Sequence, residues 1–156
     1  MIKKNLLRFF GVLPVALMIF SSCASANFVY RESTARKVVD LVSGKDSETL
    51  SLISRNPFLL DGEIILMSGD MELFWEKAFA AGFGFPGGTV ESVIPVDGET
   101  FRIFGDTMDV QVFFRKYVPA PSSLAKVSTG DGYYWFVFSE REGKYPKILA
   151  FKGATG

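Results

Sequence analysis

Three aspartates, Asp61, Asp106 and Asp109, and three tyrosines, Tyr117, Tyr133 and Tyr134, are the residues from which an acid–base site could be assembled on paper. In such chemistry a carboxylate tuned by apolar surroundings takes a proton, and a phenol donates to the enolate that forms. A plainer reading competes with it. Asp61 and Asp106 each stand beside glycine in turn signals, where aspartate hydrogen-bonds its own backbone, and Asp109 can simply face solvent. The chain has no histidine and one cysteine, Cys23. The usual general base, the usual transition-metal ligand and any intrachain disulfide are therefore missing, and no cofactor or metal is expected. The loop from Gly82 to Gly88 lacks the spacing and the Gly-Lys-Ser or Gly-Lys-Thr ending of a phosphate cradle.

The 156 residues include 48% hydrophobic and 15% aromatic side chains, with 16 Phe, enough for one packed domain. The 17 basic residues balance 17 acidic ones, but Lys3, Lys4 and Arg8 lie at the N-terminus. Beyond them the chain carries 17 acidic against 14 basic groups and no run of Lys and Arg. A surface of that kind does not neutralise phosphates, so nucleic acid is not an expected partner.

The N-terminus has the three zones of a signal peptide over residues 1–22: basic Met1 to Arg8, apolar Phe9 to Phe20, then small residues. The apolar run is shorter than the roughly 20 residues that span a bilayer, and Pro14 interrupts it. Phe20-Ser21-Ser22-Cys23 resembles the lipobox of bacterial lipoproteins, with Phe20 where leucine is usual. The resemblance implies that Cys23 is lipidated and becomes the first residue, tethering the chain to a membrane of the cell envelope. A thiol placed there would be consumed by the lipid rather than left reactive in an oxidising compartment. Ala24-Ser25-Ala26 offers the alternative of ordinary cleavage after Ala26 and a soluble periplasmic or secreted protein.

Residues 23–32 then read as a linker, 33–152 as a single domain and 153–156 as a tail. Ala35, Val38, Val39 and Val42 predict an amphipathic helix that starts between Asn27 and Ser33 and that Gly44 ends in a left-handed cap. A short helix is predicted from Asp46 to Arg55. Asp61-Gly62 between Phe58-Leu59-Leu60 and Ile64-Ile65-Leu66 favours the positive backbone angles of a tight turn and predicts a short strand or small hairpin. Ser68-Gly69-Asp70 caps a helix with Met71, Phe74, Trp75 and Ala78 on one face, which Gly82 terminates. Strands are predicted over Thr89–Val96, Glu99–Phe104, Met108–Val118, Tyr133–Ser139 and Tyr145–Lys152, with Leu124–Ser128 a strand or a loop. The last two form a hairpin around Arg141-Glu142-Gly143. Helices first and strands last indicate an α+β domain, its helices packed on one face of a curved antiparallel sheet.

This order of elements, with Asp61-Gly62-Glu63 in the short hairpin and Tyr145-Pro146-Lys147-Ile148 entering the last strand, resembles the nuclear transport factor 2-like, or cystatin-like, superfamily. The resemblance implies a cone-shaped cavity between helices and sheet. Trp75, Phe79, Phe114, Trp135 and Phe138 are the candidate ligand-binding residues of such a cavity, and ordinary core packing is the competing account of each. Two functions are expected from this. One is a non-enzymatic envelope module that binds a partner protein or a small apolar ligand. The other, implied by resemblance to the superfamily's isomerases and cyclases, is a small enzyme built on an Asp-Tyr pair. Phe83 and Phe85 can form a lid or tuck under the sheet. Apolar Val110, Val112 and Phe114, with Phe113 opposite, suggest a sheet face open for a homodimer.

Overall fold

The computed structural model describes residues 12–66, 71–140 and 146–155. The basic stretch Met1 to Arg8, the cap Ser68-Gly69-Asp70 and the turn Arg141-Glu142-Gly143 lie outside the described residues. Among the described residues the fold is α+β, with four α-helices and an unclosed, curved, mostly antiparallel sheet of six strands.

Helix α1 spans Val12–Ser43 and buries Ala35, Val38, Val39 and Val42, the predicted face. It begins well before Asn27 and includes residues 23–32, so the expected linker is helical. No glycine or proline interrupts residues 15–43, and Glu32 pairs with Arg36 one turn on at 2.6 Å, so nothing local breaks the ladder. At the far end the left-handed residue is Lys45 (φ 55°), not Gly44. The helix runs one residue further than expected, and Asp46 N–H donates to Leu41 C=O at 3.0 Å while Lys45 N–H reaches Val42 C=O.

Helix α2 (Ser47–Ile53) is capped by Asp46, whose side chain accepts from Thr49 N–H at 2.9 Å. It ends two residues before Arg55 because the strand β1 (Ser54–Leu60) has already begun. Strand β2 (Glu63–Ile65) pairs antiparallel with β1 in the register Leu60↔Glu63, and Asp61 (φ 50°) with Gly62 (φ 90°) makes the predicted two-residue turn. A Cβ at Gly62 would stand 2.9 Å from the Phe104 carbonyl oxygen. Gly62→Ala is thus expected to cost about 2 kcal/mol, from the left-handed backbone and the crowded carbonyl together, as an earlier denaturant midpoint.

Helix α3 (Met71–Ala80) buries Trp75 and Phe79. Gly82 (φ 92°) ends it as predicted: Gly82 N–H donates to Phe79 C=O and Phe83 N–H to Ala78 C=O, which folds Phe83 back onto the helix. Strand β3 (Thr89–Pro95) follows the predicted bounds closely. The next two expectations are corrected. Glu99–Phe104 holds a 3₁₀ turn, Thr100–Ile103, and Met108–Val118 holds helix α4 (Met108–Tyr117), not strands. In each case a side chain closes the turn. Asp97 accepts from Thr100 Oγ1–H at 2.8 Å, and Thr107 accepts from Val110 N–H at 3.3 Å as the α4 cap.

Strands β4 (Ser122–Thr129), β5 (Gly132–Ser139) and β6 (Ile148–Thr155) complete the sheet, whose order is β2-β1-β6-β5-β4-β3. All neighbours are antiparallel except β1 and β6, which are parallel because the final strand inserts beside the first. Strand β6 continues past Lys152, so residues expected to be a tail are paired instead: Thr155 lies opposite Tyr133. Pro146 stands at the entry to β6, where its missing N–H costs no ladder bond.

Side chains on the two sheet faces alternate, and each face has its own core. One face packs Phe58, Phe136, Phe138 and Phe151 against α1, α2 and α3. The other buries Leu59, Leu124, Val137 and Ala150 under Val110, Phe113 and Phe114 of α4. Helices therefore cover both faces, not one, and the face expected to be open for a homodimer carries α4. Two capping carboxylates also tie stability to acid. The hydrogen bond from Thr49 N–H holds the Asp46 carboxyl below its ordinary pKa of 3.8, and bonds from the Thr100 hydroxyl and Glu99 N–H do so for Asp97. Folding lowers both pKa values, so their stabilisation is present above 3.8 and is lost as the pH falls through the lower, folded values. The melting midpoint is expected to hold between about pH 7 and 5 and to drop below about pH 4, less steeply in Asp97→Asn.

Candidate functional site

An aromatic hollow of about 400 Å³ lies between α3 and the β1–β6–β5 part of the sheet. Helix α3 supplies Phe74, Trp75 and Ala78, because positions i, i+1 and i+4 of a helix face one neighbouring layer. The Gly82 turn supplies Phe83. Strands β6 and β5 supply Phe151 and Tyr134, which point to the same sheet face. Trp75 meets Phe151 edge to face at 5.5 Å and Phe83 at 6.0 Å, and Phe83 stands 6.1 Å from Tyr134. The indole N–H donates to Ser54 Oγ at 3.0 Å, and that hydroxyl donates to Leu50 C=O, so the polar edge of Trp75 is already satisfied by protein.

Asp61 reaches the rim of this hollow from the β1–β2 turn. Its Oδ1 accepts the Gly153 N–H at 2.5 Å. Any Cβ at position 153 would stand about 3.1 Å from that carboxylate, so glycine is what lets Asp61 lie against β6.

A larger hollow of about 690 Å³ sits at the end of β3 and β4, walled by Val96, Phe101, Phe114 and Pro121 with Arg31, Glu140 and Asp97 around it. Two arginines, Arg31 and Arg115, and two carboxylates, Asp97 and Glu140, stand in its lining, so it offers a ligand no net charge. Arg31 Nε lies 2.8 Å from Glu140 Oε1, although off line for a hydrogen bond, and the same oxygen accepts the Ser123 hydroxyl at 2.6 Å. Asp97 is spent on Thr100 and Glu99. Volume favours this second hollow, but chemistry favours the first, where five aromatic rings gather and whose single carboxylate keeps one oxygen for a ligand.

No protein-family profile, no curated protein and no solved structure matches the chain. The site must be read from its own residues. Of the five aromatic candidates, Trp75, Phe79 and Phe138 fall on the face of α3, and Phe114 and Trp135 on the face of α4. The sheet separates them, so they do not surround one cavity. Trp75 lines the aromatic hollow and Phe114 the larger one. Phe79 backs Trp75 at 5.9 Å, Phe138 packs on Phe136, and the Lys126 ammonium lies 5.7 Å from the Trp135 ring.

The acid–base candidates scatter too. Asp106 and Asp109 are exposed beside and within α4, Tyr117 packs on Phe113, and Lys126 covers the Tyr133 ring at 3.6 Å. Asp61 and Tyr134 do share the aromatic hollow, but Asp61 is exposed, without the apolar enclosure that tunes a carboxylate into a general base. Among the described residues no three His, Cys, Asp or Glu side chains gather to hold a metal ion. Phe74, Phe83 and Phe151 were not among the five sequence candidates. Phe83 had its signal in the Gly82 turn, and its partner Phe85 tucks fully under the sheet. Phe151 had only strand parity, which becomes decisive once β6 is known to lie beside β1.

Proposed function

We propose that this chain is an exported, lipid-anchored envelope protein whose domain is a non-enzymatic binding module for a small apolar ligand, held in the hollow between α3 and the sheet. The observation that carries the ligand reading is the convergence of Phe74, Trp75, Phe83, Tyr134 and Phe151 on one cavity of about 400 Å³, a size within the usual range for small-molecule sites. Export and anchoring rest on the three-zone N-terminus and on Cys23 directly after its apolar run. Among the described residues no helix is long and apolar enough to cross a membrane. The α+β fold, with α1, α2 and α3 packed on one face of a curved, mostly antiparallel sheet, supports the resemblance to the nuclear transport factor 2-like superfamily.

Two measurements test the proposal. Intact mass of the native protein should show a diacylated N-terminus at Cys23 that is lost in Cys23→Ala; an unmodified N-terminus at Asn27 would sink the anchor. Titration of the Trp135→Phe protein with cyclohexanol should give a saturable change in Trp75 fluorescence, weakened in Phe83→Ala. A response that is only linear in cyclohexanol would mean that the hollow binds nothing.

A further inference from the structure

We infer that the ligand of the aromatic hollow carries an organic cation, of the quaternary ammonium class, and that Asp61 supplies the counter-charge. The inference rests on the ligand reading above and narrows it. Among the described residues the lining contains five aromatic rings and one charged group, the Asp61 carboxylate; neither Lys nor Arg lines it. Aromatic faces carry negative quadrupole potential and attract cations, most strongly where water is excluded. An anionic ligand would meet both that potential and Asp61.

A primary ammonium or a metal ion fits poorly, because each would surrender a tight hydration shell to a site with few acceptors. The indole N–H is committed to Ser54, and one Asp61 oxygen is committed to Gly153. What remains is the ring surface of the half-buried Phe74, Phe83 and Tyr134, behind which Trp75 and Phe151 are each 1% exposed, with the second carboxylate oxygen and the Tyr134 hydroxyl. A trimethylammonium head has no N–H to satisfy and spreads its charge over methyl groups that pack against rings, so this set of groups suits it. Gly153 is part of the arrangement, since a Cβ there would stand 3.1 Å from the carboxylate and crowd it where it lies.

The test compares choline with its neutral isostere, the alcohol in which a tert-butyl group replaces trimethylammonium, on the full-length Trp135→Phe protein by Trp75 fluorescence. Choline should bind about tenfold more tightly than the isostere, the equivalent of about 1.4 kcal/mol. Asp61→Asn should erase most of that difference by weakening choline alone, since asparagine tolerates the left-handed turn that Asp61 occupies. Added salt should weaken choline and spare the isostere. Equal binding of the two compounds, or a choline affinity unmoved by Asp61→Asn, overturns the cation while leaving the apolar ligand site standing. If cyclohexanol, choline and the isostere all fail to saturate, the ligand site itself falls and takes the cation with it.

Discussion

Replacing Phe151 with alanine should cost the domain about 3–5 kcal/mol, the usual range for removing a phenylalanine from a closed core. Five rings surround it, those of Phe58, Trp75, Phe83, Phe85 and Phe136, at centroid distances between 5.4 and 6.1 Å. The side chain is 1% exposed. Its neighbours come from β1, α3, the Gly82 loop and β5, so no single element can shift to close the void. A small domain has only about 5–15 kcal/mol in total, and such a loss leaves it near its threshold. The measurement is a denaturant midpoint followed by circular dichroism, with the slope unchanged if folding remains two-state. Phe151→Leu should recover much of the loss by refilling volume. A cost below about 1 kcal/mol for the alanine variant would show that Phe151 is not at the centre of this core.

The second large effect contrasts two valines that are neighbours but one in α4. Val110 is fully buried, whereas Val112 is 38% exposed. Val110→Asp would place an unpaired carboxylate against Phe104, Phe113 and Leu124, at several kcal/mol, enough to unfold most of the protein. Val112→Asp on the outer face should change stability by no more than about 0.5 kcal/mol. A strand over Met108–Val118 would put both valines on one face and make the two substitutions alike. The contrast in melting temperature therefore tests the helix directly.

That segment shows why sequence reading stopped where it did. Val110, Val112 and Phe114 satisfy a period of two, while Val110, Phe113, Phe114 and Tyr117 satisfy the helical spacing equally well. Seven large apolar residues between Met108 and Val118 fit both. The deciding signals are at the ends: Thr107 as cap, Asp109 in the first turn, Arg115 and Lys116 in the last. They were legible, and β-branched and aromatic content outweighed them. The 3₁₀ turn before it was misread for a similar reason, since Asp97 and Thr100 close it with side-chain bonds that no apolar pattern records.

The candidate site was legible in part. Asp61-Gly62 required its tight turn and Gly82 its helix stop, because few residues adopt a positive φ without strain. Those two turns aim Asp61 and Phe83. Trp75 followed from helical period. The grouping failed, because the five chosen aromatics were sorted by element and not by sheet face. A face is assigned only when register and strand order are known, and β6 pairs with β1 from far along the chain, Ser54 opposite Ile148.

By itself, then, the sequence determined what local chemistry controls: a three-zone N-terminus ending at Cys23, the first and third helices, the Asp61-Gly62 hairpin, the closing strands, and a chain without histidine. Tertiary structure alone decided that α4 covers the second sheet face, that β6 inserts beside β1, and that Phe74, Trp75, Phe83, Tyr134 and Phe151 meet around one hollow with Asp61 at its rim. The reason is range. Caps, turns and periodicity act over a few residues and leave their mark in the sequence, whereas a cavity is the difference between surfaces brought together from distant parts of the chain.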